Sequence, residues 1–285
     1  MVDKILFLGS GSEKDPGFDD ISIEGIPYKQ FMKQRGINVV DRVIESCHGC
    51  LDRMSEYSRE MQCLAENGHR VVAGLQGGLL FGLPPIQATQ TTFPIISFPL
   101  DSVSYSAFMV PSGHAAIASV GVERKGEQNQ REKGLKLAER ILNLDGTIVN
   151  IFNDIGNGKL TEELHRFGIN TADYNYNKNQ LAVAYCDKLN GVRSNPNGFL
   201  LWADSDESIS DWEYLKRSEL RHHQGEYNQI PSAQVRGVAN LSMMVAKVLS
   251  LQQSHLVEQI KEVARKKLDS YGPRKDFIHQ FQGAS

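Results

Sequence analysis

Cysteine is scarce in this chain. Four occur in 285 residues, at Cys47, Cys50, Cys63 and Cys186, too few and too scattered for a disulfide scaffold. Cys47 and Cys50 form one C-x-x-C, but no second C-x-x-C or H-x-x-x-H follows, which argues against a structural zinc site, and no metal is expected. Long apolar runs are also lacking. No stretch reaches the ~18 residues of a membrane span. The run Ile5–Leu8 behind Met1-Val2-Asp3-Lys4 is too short for a signal-peptide core, so neither membrane nor export is expected and a cytoplasmic location is the default. Nor is there an excess of either charge. Lys and Arg number 31 against 34 Asp and Glu, a net charge of -3, which leaves no basic footprint for nucleic acid.

What is present is a globular composition, 40% hydrophobic and 23% charged. The length allows one large or two small domains. One stretch organises the rest. The β-branched run Ile37, Val39, Val40, Val43 and Ile44 reads as a buried strand and stops at Ser46-Cys47-His48-Gly49-Cys50. An amphipathic helix then begins near Leu51, with Met54, Tyr57, Ser58 and Met61 at helical spacing. His48 thus sits where a strand ends and a helix begins, the place where open α/β sheets bind ligands. The alternative is a capped turn with a surface histidine. Cys47 and Cys50 share this turn, so a redox pair is a further reading beside two ordinary thiols.

In chain order, strand Ile5–Leu8 ends in Gly9-Ser10-Gly11-Ser12-Glu13. Its glycines, serine hydroxyls and free N–H groups can hold a phosphate, although the pattern is neither a P-loop nor G-x-G-x-x-G. A loop over 15–25 and a helix over 27–34 follow. Arg70–Ala73 reads as a strand opening into a glycine-rich loop with Gly74, Gly77, Gly78 and Gly82. Helix 85–90, strand 95–98, helix 101–110, strand 115–122 and helix 128–142 complete a first unit, residues 1–145. This alternation predicts a three-layer αβα sandwich with a parallel, flavodoxin-like sheet. From Asp145-Gly146 the order restarts: strand 147–152, helix 160–167, helix 181–189 and strand 198–202. Two long helices follow, carrying Leu241, Met244, Val245, Val248 and Leu249, then Leu256, Ile260, Val263 and Leu268. The expected second unit, 146–285, is a degenerate copy of the first that supplies structure rather than chemistry. His222-His223 reads as a polar surface pair, and the tail after Gly272-Pro273 as loose.

Four stretches of the first unit together resemble the carboxyaminoimidazole ribonucleotide mutase family, also called aminoimidazole ribonucleotide carboxylase, of purine biosynthesis. Gly9–Glu13 resembles its G-S-x-S-D. Ser46-Cys47-His48-Gly49-Cys50-Leu51-Asp52-Arg53 resembles S-A-H-R-T-P-D-R. Residues 73–84 resemble A-G-x-G-G-A-A-H-L-P-G-M, and Thr91–Pro99 resembles T-x-x-P-V-x-x-V-P. The chain departs from the pattern in four places. The loop after the Gly-Ser turn is longer. Glu13 replaces an aspartate. Gly49 replaces the arginine expected on the substrate phosphate, with Arg42 or Arg53 as candidate substitutes. Phe81 or Gly82 replaces a histidine.

The resemblance implies a divergent mutase or carboxylase of a ribonucleotide. Gly9, Ser10, Gly11, Ser12, Glu13 and Ser46 would bind phosphate and ribose. Gly74, Gly77 and Gly78 would cover the imidazole and a transient carbon dioxide. His48 would move the proton as a carboxylate passes to the ring carbon, with no cofactor. A catalytically impaired nucleotide-binding protein on the same fold is the alternative, and a C-x-x-C redox protein a third. Family members are octamers of single domains, so a homotetramer of two-domain chains is expected.

Overall fold

The apolar runs assemble into one ten-stranded sheet. A computed structural model describes residues 2–13, 15–43, 51–78, 83–102, 104–109, 115–123, 129–154, 158–173, 181–187, 198–206, 208–222 and 230–270. Strand β1 (Lys4–Ser10) lies between β4 (Ile37–Val43) and β5 (Arg70–Gly77), parallel to both. Next to β5 come β6 (Ile95–Pro99) and the two-residue β7 (Ala118–Ser119). The other block holds β8 (Val149–Asp154), β9 (Thr171–Asp173), β10 (Leu181–Tyr185), β11 (Phe199–Ala203) and β12 (Ser232–Gln234). Across the sheet the order is β4-β1-β5-β6-β7-β12-β11-β10-β8-β9. A hairpin of β2 (Ser22–Ile23) and β3 (Ile26–Pro27) stands apart, turning through Glu24 and Gly25, both at positive φ as a two-residue hairpin turn requires.

Counted along the chain within each block, both blocks read 2-1-3-4-5 inward from the outer edge, the flavodoxin-like order. A shared order does not by itself make the second block a copy of the first. The blocks meet at one antiparallel bridge, Gln234 opposite Ser119. The two sets of strands therefore run in opposite directions, and their carboxyl ends open on opposite margins of the sheet.

Helices cover both faces. Alternate residues of each strand point to opposite sides. Leu6 and Leu8 join a core with α1 (Tyr28–Gln34), α4 (Asn129–Leu142), α5 (Lys159–Arg166), α7 (Gly237–Ser250) and α8 (Ser254–Ser270). Ile5 and Phe7 join a second core with α2 (Leu51–Glu66), α3 (Leu83–Gln90) and Tyr214 of α6 (Asp211–His222). The three-layer α/β sandwich is thus observed.

Several expected elements differ. Residues 181–185 form a buried strand, not the start of a helix: five apolar side chains between two partner strands carry no period that separates the two. Strand β5 continues through Gly74 to Gly77, where a loop is expected from Gly74. Of 115–122 only Ala118–Ser119 pairs, and Ser104–Met109 is a 3-10 helix. His222 is not on the surface. It is buried, edge-on to Tyr105 at 5.7 Å and beside Trp202. Among the described residues no helix is long and apolar enough to cross a membrane.

Candidate functional site

A 2-1-3 order sends the chain to opposite sides of the sheet from two adjacent strands, opening a crevice at their carboxyl ends. In the first block those strands are β1 and β5, with Ser10 opposite Gln76 on one side and Val43 of β4 on the other. Gly9 and Ser10 are the buried last residues of β1. The Gly11 N–H donates to Gln76 O at 3.0 Å and closes the strand pair. Ser12 is half-buried and Glu13 exposed on the turn beyond. Two of the sequence-predicted stretches thus converge, Gly9–Glu13 with Gly77-Gly78.

Gly74 has a packing cause. A β-carbon there would lie 2.8 Å from both Leu8 and the Phe98 ring, one layer below the crevice. The backbone does approach something closely, but it is the core. Gly77 ends β5 and its carbonyl accepts the Leu100 N–H. Gly78 faces the Asp101 carboxylate, 3.3 Å from where a β-carbon would stand. The other oxygen of Asp101 caps the 3-10 helix at Ser104 N, 2.7 Å away.

The loop after the Gly-Ser turn is built in rather than appended. The Asp15 N–H donates to Ser12 O at 3.1 Å, and an Asp15 carboxylate oxygen lies 3.6 Å from where a Gly11 β-carbon would stand. Burial raises its pKa above the ordinary carboxylate value, and the nearby backbone of Ser12 and Gly11 opposes the rise. The Gln76 side-chain amide donates to Pro16 O. Phe18 is fully buried and meets Phe98 edge-to-face at 5.3 Å. Arg131 of α4 donates to Gly17 O at 2.8 Å and pairs with Asp20 at 3.3 Å and Glu123 at 2.5 Å. Burial raises the Glu123 pKa, and Arg131 opposes the rise. Sequence reading missed Gln76 and Arg131 as parts of this edge, because Pro16 and Gly17, which they hold, lie far away along the chain; Asp15 reads there only as loop.

His48 and Ser46 lie outside the described residues, as do Gly49, Cys47, Cys50, Phe81 and Gly82. Of the candidate substitutes for the family arginine, Arg42 pairs with Glu60 at 3.4 Å, and Arg53 is exposed in the first turn of α2. Cys63 is exposed and Cys186 buried. Among the described residues no group of three or more His, Cys, Asp or Glu side chains could hold a metal ion.

Past β10 and β11 of the second block lie charge pairs. Fully buried Asp204, just past β11, accepts from Arg221 at 2.6 Å and lies 3.5 Å from Arg217, which also holds Asp206 at 2.8 Å. Arg221 additionally donates to Asp187 O past β10. A cleft of about 760 Å³ lies elsewhere, at the amino ends of β1 and β5. Its Lys4 and Arg70 are engaged by Asn143 and by the carbonyls of Leu142 and Leu144.

No protein-family model matches the chain, and no curated protein does.

Proposed function

We propose that this chain binds a ribonucleotide in the β1–β5 crevice and moves a carboxylate from the exocyclic nitrogen of an aminoimidazole to the adjacent ring carbon, the N–C bond breaking as the C–C bond forms, with His48 as the general acid and base that carries the proton the ring carbon loses. One observation carries the proposal: the Gly-Ser turn and Gly77-Gly78 meet at the switch point of a flavodoxin-like block. Strand β4 ends at Val43 beside Ser10, and α2 begins at Leu51. Ser46 and His48 fall in the sequence between these two ends. A histidine titrating near neutral pH suits proton removal from a ring carbon. The family resemblance of the four motifs supplies the substrate class and implies no cofactor.

A second reading, a ligand-binding protein of the same fold without turnover, is favoured by the charge at this margin. Arg131 is neutralised by Glu123 and Asp20, Arg42 by Glu60, and Gly49 stands where the family has its phosphate-binding arginine. Calorimetric titration with aminoimidazole ribonucleotide, followed by a turnover assay on its carboxylated forms, separates the two. Binding with turnover that His48→Ala abolishes, while binding and thermal denaturation are kept, supports the enzyme. Binding without turnover supports the second reading, and absence of binding overturns both.

A further inference from the structure

At the switch point two polar side chains stand side by side without bonding to each other. We propose that Ser10 and Gln76 read a sugar hydroxyl: the Ser10 O–H donates to the hydroxyl oxygen of the ligand, and that hydroxyl donates in turn to Gln76 Oε1. This deepens the ribonucleotide reading and rests on its choice of crevice. It turns the ribose, rather than the phosphate, toward the Gly-Ser turn.

The strands place the pair. Ser10 and Gln76 are register partners at the carboxyl ends of parallel β1 and β5, so their side chains leave the sheet on one face. It is the face of Leu6, Leu8 and Phe98, the last being the β6 partner of Gln76. Both residues are buried. The Gln76 amide has one orientation. Its Nε2 donates to Pro16 O, and reversing the amide would set two carbonyl oxygens against each other. Its Oε1 is therefore turned from Pro16 O, fully buried and without a hydrogen-bond partner among the described residues. Phe98 beside it has no donor, and the Ser10 hydroxyl is not bonded to it. A buried acceptor left unmet is costly, so a ligand gains by bringing a donor here.

The surrounding groups select the kind of ligand. The Gly11 N–H is already given to Gln76 O. An Asp15 carboxylate oxygen lies 3.6 Å from where a Gly11 β-carbon would stand, Glu13 lies on the turn and Asp101 beyond Gly78. Arg131 is shared between Glu123 and Asp20. A phosphate dianion has only acceptors to offer to this company. A hydroxyl both gives and takes a hydrogen bond, as a carbonyl oxygen beside a serine requires.

The test titrates aminoimidazole ribonucleotide and its 2′-deoxy and 3′-deoxy forms by calorimetry into the wild type, Gln76→Met and Gln76→Glu. In the wild type, loss of one of the two hydroxyls should weaken binding by about tenfold or more. Gln76→Met removes the acceptor and should bind that deoxy form and the parent within about twofold of each other. Gln76→Glu loses the bond to Pro16 O but keeps an acceptor oxygen, and should retain the discrimination. A wild type indifferent to both hydroxyls overturns the proposal and leaves the ribonucleotide reading intact. So does discrimination that persists in Gln76→Met, and so does its loss in Gln76→Glu as well, which would make Gln76 a support for Pro16 alone. Ser10→Ala removes the donor of the pair and decides the matter should Gln76→Met unfold: the penalty for the missing hydroxyl should shrink, and an unchanged penalty overturns the proposal. If none of the three ligands binds the wild type, the ribonucleotide reading fails and this inference falls with it.

Discussion

Lys247 is fully buried on α7, its ammonium donating only to Ala88 O among the described contacts, at 3.0 Å. Burial drives its pKa down from 10.5 to about 7. Between these values the unfolded chain holds a proton that the folded chain does not, so stability rises with pH across that window. Below about pH 7 both states are protonated and the cost of the buried charge is fully present. The drop corresponds to on the order of 5 kcal/mol between the ends of the window. Lys247→Met keeps the volume and removes the charge. It should raise the melting temperature at pH 7 and flatten the stability profile between pH 7 and 10, both readable by thermal denaturation. A second residue-scale test concerns Phe98, whose ring fills the space of two missing side chains. Added β-carbons would stand 2.8 Å from it at Gly74 and 2.3 Å at Gly134. Gly74→Ala should destabilise by about 1–3 kcal/mol in chemical denaturation through overpacking, with no ligand present.

At the scale of elements, α6 acts as a clamp over the carboxyl ends of β10 and β11. Arg221→Ala would strand the buried Asp204 carboxylate, an effect of roughly 3–5 kcal/mol. Asp204→Asn combined with Arg221→Ala should cost less than the sum of the single changes, measured as a double-mutant cycle. This helix was illegible in the sequence for a physical reason. Its buried positions are Tyr214, Ser218 and His222, so the inward face carries hydroxyls and an imidazole in place of an aliphatic stripe, while Trp212 and Leu220 face outward. Ser218 takes part through Gln234, which also accepts from Tyr105 across the seam. Strands β1, β4, β5 and β6 and helices α2, α4, α7 and α8 were legible, because β-branched runs and 3.6-residue apolar spacing mark them directly. Strand β10 was not, since its residues are apolar on both faces. The candidate site divides in the same way. The Gly-Ser turn and Gly77-Gly78 announce themselves locally. Gln76 and Arg131 acquire their roles only when Pro16, Gly17, Asp20 and Glu123 come to meet them in space.

For the whole molecule, the single bridge between Ser119 and Gln234 would be a weak join if it stood alone. Helix α7 and the turn after it reinforce it. Lys247 reaches Ala88 O, Ser250 reaches Thr92 O, and Gln252 reaches Leu144 O. The core on this face also runs without a break from Leu6 to Ile260. The two blocks should therefore unfold together, as one transition superimposable by tryptophan fluorescence and far-ultraviolet circular dichroism in urea. Two separated transitions would show that each block is stable without the other.

The opposed direction of the blocks has an electrostatic consequence. In a parallel block the crossover helices run against the strands, so their peptide dipoles add along one direction. Ten strands all pointing one way would give the molecule a large permanent moment and a long-range pull on any anion. Here the two sets of helices oppose each other and their moments cancel in large part. An approaching ligand is drawn only within the short range of the margin it meets, and with acidic groups lining the first, discrimination there falls to contact rather than to steering.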